Sequence, residues 1–293
     1  MELITSKDSR TLKFAQSLQK KKYRMIHDAY LAEGLRTVAD MLPTGLVSHV
    51  LIKEDASLDV QNVAHEAEAK GAFVYVVSDP LFQLVENTVH GQGIIGIVKK
   101  SITNLNNFIE AELKRLGQGI SKNNELNCTG QDHAPNPQGT APLYVVLDEV
   151  QDPGNLGTII RTAVAANVNA IFLTKGSVDP YNEKTVRSTM SAITKIPIIE
   201  GVTVEDMVEV KERLGITIYA TALEEASSIY ETSYALRNLI ILGNEARGIS
   251  AEWQALADKK ITIPMYGPIE SLNLSVAAAL CFYAVREREI NDV

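Results

Sequence analysis

The stretch from Ile261 to Val285, ITIPMYGPIESLNLSVAAALCFYAV, decides how the chain is read. Ile261 to Ile263 has the β-branched character of a strand and ends at Pro264, which cannot donate to a ladder. A loop holding Gly267, Pro268 and Ser271 follows, and the pattern predicts a helix from about Asn273 to Arg288. Leu274, Ala277, Ala278, Cys281, Phe282 and Val285 recur at the spacing of one buried face. Ala279, Leu280, Tyr283 and Ala284 leave little polar surface opposite them. Such a helix is a core helix of its own domain, or it also meets a partner subunit or an unusual wrap of chain. Polar groups sit where it begins.

Upstream of this stretch, Tyr144 to Leu147 is a continuous apolar run of the kind found in sheets covered on both faces. Strand runs recur at Ala170–Leu173, Ile196–Ile199, Ile216–Ala220 and Leu239–Leu242. Helical patterns at Leu156–Ala166, Glu183–Ile193, Val204–Leu214 and Ala251–Leu256 separate most of them. Residues 143–293 therefore read as an α/β domain with a mainly parallel sheet, whose ligand belongs beyond the carboxyl ends of the strands.

The first part has another rhythm. Helical patterns at Ser6–Leu18, Ala29–Met41, Ser57–Lys70, Asp79–Glu86 and Thr103–Leu116 alternate with strand runs at Leu46–Ile52, Phe73–Val77 and Ile94–Val98. Residues 1–116 read as a small α/β sandwich domain. Residues 117–142 hold four glycines, four asparagines and three prolines, with Ile120 and Leu126 as the large aliphatics, and read as a flexible linker.

Composition bounds the function. With 293 residues, 45% of them hydrophobic and 22% charged, the chain has the make-up of a soluble globular protein. No apolar run reaches the length of a bilayer span and the N-terminus lacks a signal-peptide core, so a cytoplasmic protein without a membrane partner is expected. Cys128 and Cys281 lie in dissimilar surroundings with no metal-ligand spacing, so neither a disulfide nor a metal is expected. All five histidines precede residue 142, which denies the second domain an imidazole of its own and excludes Ser/His and Cys/His catalysis there. The net charge is −8, yet residues 1–24 carry Lys7, Arg10, Lys13, Lys20, Lys21, Lys22 and Arg24 against Glu2 and Asp8. That run is either a phosphate-binding patch or a solvated helix face.

Three loops fall at strand ends in the second domain. Asp148–Arg161 leaves its strand through Gly154 and Gly157, with Asn155 placed to cap the following helix and Arg161 on its second turn. The Gly-x-x-Gly spacing differs from the Gly-x-Gly-x-x-Gly of dinucleotide-binding turns, which argues against a nicotinamide cofactor. Leu242–Ser250 frames Glu245 between Gly243 and Gly248, and the third loop is the one quoted above.

Together, Asn155-x-Gly157-x-x-x-Arg161, Gly243-x-Glu245-x-x-Gly248, and Ile263-Pro264 followed by Ser271-Leu272-Asn273-x-Ser275-Val276 resemble the three signature motifs of the SpoU (TrmH-type) RNA ribose 2′-O-methyltransferases. Ser6–Arg10, Leu18–Arg24, Ala32-Glu33-Gly34 and Gln92-Gly93-Ile94 are similar, more loosely, to the ribosomal-protein-like RNA-binding domain often attached in that family. The resemblance implies a trefoil knot formed by the C-terminal segment, S-adenosylmethionine bound in the knot, and a homodimer.

It also implies roles. Arg161 matches the family's catalytic arginine, and a guanidinium scarcely gives up a proton, so its natural task is to bind phosphate and steady an alkoxide. Glu245 would orient Arg161 or a loop amide, while Asn155, Ser271 and Asn273 would bond to ribose, phosphate or each other. Leu242, Gly243, Ile263, Met265 and Leu272, with Thr221 as a weaker candidate, would surround the cofactor. Lys20, Lys21, Lys22 and Arg24 would hold RNA phosphates. Ribosomal RNA is the expected substrate, with transfer RNA or a catalytically silent RNA-binding protein as alternatives.

Overall fold

The computed structural model describes residues 1–88, 91–101, 103–121 and 140–291. Most of the expected linker lies outside them, as do Cys128, His90 and His133. In chain order the elements begin with β1 (Glu2–Ile4), α1 (Arg10–Ser17), α2 (Lys21–His27), β2 (Ala29–Glu33), α3 (Leu35–Met41), β3 (Val47–Lys53), α4 (Leu58–Ala69), β4 (Phe73–Val77), α5 (Asp79–Phe82) and β5 (Ile94–Lys99). They continue with α6 (Leu105–Ser121), β6 (Leu143–Leu147), α7 (Pro153–Ala165), β7 (Ala170–Thr174), α8 (Glu183–Thr189), β8 (Ile198–Val202), α9 (Val204–Leu214), β9 (Thr217–Thr221), β10 (Ser227–Ser228), β11 (Asn238–Leu242), α10 (Ala251–Leu256), β12 (Lys259–Thr262) and α11 (Leu274–Asn291).

Two compact units result: Met1–Ile102 with Asp179–Thr194, and Thr103–Val178 with Lys195–Val293. The sequence suggests a division at the linker, whereas contacts group α6 with the second unit and the segment carrying α8 with the first. Helix α6 also runs on through Ser121, past the glycine where the linker is expected to start.

The first unit is built on a five-stranded sheet of order β1-β4-β3-β5-β2. One segment departs from its expected form. Ala29–Met41, which reads as a single helix, is strand β2 followed by α3, split at Gly34 with φ +106°. Alanine and leucine are good helix formers, but Ala29 to Ala32 is buried and pairs antiparallel with Lys99 to Gly96. Tertiary pairing overrides local propensity here.

The second unit has a wholly parallel sheet of order β10-β12-β9-β11-β6-β7-β8. Every residue of β6, β7 and β11 is buried, which is why those runs show no polar alternation. One face carries Tyr144, Val146, Phe172 and Ile241 in a core with Phe108 of α6, Met207 and Val210 of α9, and Trp253 of α10. Tyr144 Oη also bonds Glu112 of α6, which Arg115 holds in turn at 2.6 Å. α11 packs against α7 and β11, although it follows β12, which pairs with β9. The last helix therefore returns past β9, carrying its first residues to the ends of β6 and β11.

Candidate active site

At the carboxyl end of β6 the chain must turn into α7. Asp148 is buried there: its Oδ2 accepts from the Ser250 amide at 2.8 Å and its Oδ1 from Thr174 Oγ1 at 3.3 Å, tying the ends of β6 and β7 to the start of α10. Asp152 caps α7, accepting from the Asn155 amide at 2.8 Å, with Pro153 at the first helical position. Asn155 is thus not the helix cap that its position suggests. An aspartate before an N1 proline does that work, and the Asn155 side chain is released for other partners.

Beyond β11 the chain folds back on itself through a two-way bridge between Asn244 and Gly248, each amide donating to the other's carbonyl at 2.9 Å. Only glycine fits at 243, because a Cβ there would lie 2.2 Å from Gly248 C and Ile249 N. Buried Asn244 holds the loop: its Nδ2 donates to Glu149 O at 2.8 Å and its Oδ1 accepts from the Ala246 and Arg247 amides at 2.9 and 3.1 Å.

This turn delivers Glu245 to the first loop. Its Oε1 accepts from Asn155 Nδ2 at 3.0 Å and the Asp152 amide at 3.4 Å, and its Oε2 from the Gln151 amide at 3.3 Å. Asn155 Oδ1 accepts in turn from Asn273 Nδ2 at 2.9 Å. Asn273 Oδ1 then accepts from the Ser275 amide at 2.9 Å and Ser275 Oγ at 2.6 Å, capping α11. A carboxylate and two carboxamides therefore link three loops that are 90 and 118 positions apart in sequence. The carboxylate fixes which end of the Asn155 amide donates, since it accepts only.

The remaining expected residues surround this chain without joining it. Arg161 is exposed on α7, and among the described residues its guanidinium makes no hydrogen bond or ion pair. Ser271 is exposed two residues before Asn273. Leu242 and Gly243 are buried at the end of β11, and half-buried Thr221 donates through Oγ1 to Ile241 O at 3.2 Å. Ile263 is half-buried, while the apolar side chains of Met265 and Leu272 are exposed. Among the described residues, Ile263 to Leu272 form no backbone hydrogen bond, so that loop offers free N–H and C=O groups beside apolar surface. This combination fits a ligand with an adenine ring and an amino-acid end. Cys281 is buried in α11, where desolvation pushes its thiol up to about 12, which makes it unreactive.

Lys20, Lys21 and Lys22 are exposed at the start of α2. Arg24 is not with them. It is 5% exposed, bonded through Nη2 and Nε to Asp179 Oδ2 at 2.6 and 2.9 Å and through Nη1 to Leu18 O and Gln19 O. Four residues of a basic run look alike in sequence, but the α2 face that turns inward takes Arg24 and buries it against a carboxylate. Among the described residues no helix is long and apolar enough to cross a membrane.

Three supporting residues escape the sequence reading: Asp148, Asn244 and Arg286. Buried Arg286 donates to Ala166 O, Ala141 O and Asn167 O at 2.7 to 2.8 Å and so fastens α11 to the end of α7. Its signal was an arginine four residues after Phe282, on the buried face of an apolar helix.

Comparison with known proteins agrees with this geometry. Residues 142–283 match the SpoU rRNA Methylase family, and residues 9–96 match the MRM3-like substrate binding domain. The chain is 30% identical over 288 residues to the 23S rRNA (guanosine(2553)-2′-O)-methyltransferase RlmP of Bacillus subtilis, covering 98% of this chain and 100% of that one. It is 27% identical to the 23S rRNA (guanosine-2′-O-)-methyltransferase RlmB of Vibrio vulnificus, over 88% of this chain and 96% of that one. Among solved structures, the AdoMet-bound rRNA methyltransferase from Sinorhizobium meliloti superposes with a TM-score of 0.77 at 28% identity, covering 98% of both chains.

Proposed function

We infer the reaction from a premise those likenesses establish: this chain belongs to the SpoU rRNA methylase family and is an S-adenosylmethionine-dependent RNA ribose 2′-O-methyltransferase acting on ribosomal RNA. S-adenosylmethionine supplies a methyl carbon made electrophilic by its sulfonium. What the chain must add is alignment and charge stabilisation at the sugar oxygen.

The observation that carries the assignment of roles is the chain from Glu245 through Asn155 to Asn273. Glu245 is a positioning residue that anchors the first loop. Asn155 and Asn273 hold the starts of α7 and α11 in register, so that Ser271 and the cofactor-facing residues Leu242, Gly243, Ile263, Met265 and Leu272 share one site, with Thr221 at its margin. Arg161 takes the phosphate and the developing alkoxide, a task suited to a permanently charged guanidinium. The first unit captures RNA through Lys20, Lys21 and Lys22, and the second carries out the transfer. The return of α11 past β9 supports a chain threaded as a trefoil knot. Val276, Leu280 and Tyr283 form an apolar stripe on α11 whose first and last residues are exposed, which supports a homodimer with a second copy against that helix. We place the enzyme in the cytoplasm with its RNA.

The relative from Bacillus subtilis matches along its whole length, which supports a guanosine of large-subunit RNA as the target. Mapping ribose methylation with and without the gene identifies it. Arg161→Ala is expected to bind S-adenosylmethionine normally by calorimetry while tritiated-methyl transfer falls about a hundred-fold or more. Undiminished transfer rejects the role of Arg161.

A further inference from the structure

In the first unit, six rings form a row. Tyr23 and His27 of α2 lie nearly parallel, 6.3 Å apart between centroids at 13°. Phe14 of α1 meets His27 edge-on at 5.1 Å and His49 at 5.9 Å. His49 of β3 lies beside Phe73 at 5.5 Å and, nearly parallel, Tyr75 at 6.2 Å. The parallel register of β3 and β4 sets His49 opposite Phe73, and Tyr75 follows on the same face two residues on.

Farther along that face Leu51 and Val77 are buried in a core with Leu12, Ala15 and Leu18, but Phe73 is left 64% exposed and Tyr23 36%. Met25 and Ile26 stand exposed beside Tyr23. A fold that buries Phe82, Phe108, Phe172 and Phe282 has left rings at both ends of this row open to solvent. Burial first, and Lys99 second, hold the His49 imidazole below its ordinary value, so it remains an uncharged ring near neutrality.

The surroundings are basic. Arg10, Lys13, Lys20, Lys21 and Lys22 are exposed on or beside α1 and α2, with Lys13 paired to Asp8. Lys22 Nζ stands 6.0 Å from the Tyr23 ring centre. A second copy of the same surface would bring these cations together, whereas a phosphate backbone neutralises them. Every nucleobase has a face that stacks on an aromatic ring.

We propose that the Tyr23-to-Phe73 row is a stacking platform for unpaired bases of the RNA substrate, with the α2 lysines holding the backbone beside it. The inference rests on the reading of the chain as an RNA methyltransferase, and the experiment separates the two. Affinity of the full-length protein is measured by fluorescence anisotropy for a labelled twelve-nucleotide oligouridine and for a twelve-base-pair RNA duplex at one salt concentration. The wild type is expected to prefer the single strand. Tyr23→Ala and Phe73→Ala are each expected to weaken single-strand binding by about five- to a hundred-fold while leaving duplex binding unchanged, and Tyr23→Phe and Phe73→Tyr to retain it. Lys21→Ala should weaken both RNAs alike.

No preference for the single strand, or alanine variants that bind it normally, overturns the platform. So does an alanine variant that changes the sedimenting species but not the RNA affinity, since the row is then a contact between copies. Calorimetry with S-adenosylmethionine on the same samples tests the other reading: a wild type that stacks RNA but binds no cofactor sinks the methyltransferase assignment and leaves the platform standing.

Discussion

Replacing Gly243 by alanine tests whether the turn after β11 holds the site together. The added Cβ would meet Gly248 C and Ile249 N at 2.2 Å and Gly248 O at 2.5 Å, where ordinary contact begins near 3.4 Å. All three are backbone atoms, so no rotamer change relieves the clash, and the turn must open by about an ångström. Overpacking of this kind costs about 1–3 kcal/mol. Opening the turn also strains the paired Asn244–Gly248 bonds, worth about 0.5–1.5 kcal/mol each.

A total of roughly 2–6 kcal/mol lowers Tm by about 4–24 °C in a unit of this size. Glu245 rides on the same turn, and misplacing a site by about 1 Å costs on the order of a hundred-fold in turnover. Gly248→Ala supplies the contrast. Its φ is +70° but nothing lies within 4 Å of the new Cβ, so it should cost only the left-handed strain of about 1–2 kcal/mol and spare the hydrogen-bond chain. Thermal melts by circular dichroism and tritiated-methyl transfer read the two effects. A Gly243→Ala protein with wild-type Tm and turnover, or a Gly248→Ala protein equally impaired in turnover, refutes the reasoning.

Arg24→Ala strands the buried Asp179 carboxylate and should destabilise the protein by about 3–5 kcal/mol in a denaturant titration, while Arg24→Met with Asp179→Leu recovers most of the loss. Glu183 is held above its ordinary value by burial and by Glu33, and its Oε1 has no hydrogen-bond partner among the described residues. The folded state thus binds its proton more tightly than the unfolded one, so this group's contribution to stability falls as pH rises through the interval above 4.5. Glu183→Gln should therefore raise Tm at pH 7, with the gain shrinking to nothing at acidic pH; an equal gain at both extremes rules this out. Asn155→Asp sets a second carboxylate against Glu245 in place of a 3.0 Å amide donor, and methyl transfer should fall at neutral pH and recover partly on acidification, read as a pH–rate profile.

Much of the second unit was legible because its signals are local. Apolar runs too long for alternation mark β6, β7 and β11 as covered on both faces, and glycines mark turns where backbone comes close. Spacing within each motif survives in one dimension, which is why the resemblance to the SpoU motifs could put forward Arg161, Glu245 and Asn273 as candidates. Arg24 and Lys22 were indistinguishable by the same token, since residue type does not say which side of a helix faces inward. The helix cap went to Asp152 and not Asn155 because two polar residues three positions apart compete, and the proline that follows Asp152 takes the first helical position.

By itself the sequence determined the helices and all but the edge strand β10 of the parallel sheet, the three glycine-marked loops and the kind of chemistry their side chains can perform. Only the tertiary structure decided that Ala29–Glu33 is a strand, that Asp179–Thr194 groups with the first unit, and that Glu245, Asn155 and Asn273 form one continuous hydrogen-bonded chain. The physical reason is that these depend on partners about 60 to 155 positions away. A strand needs a neighbour to complete its ladder, and a carboxylate finds its amide only after the sheet has brought the two loops to the same edge.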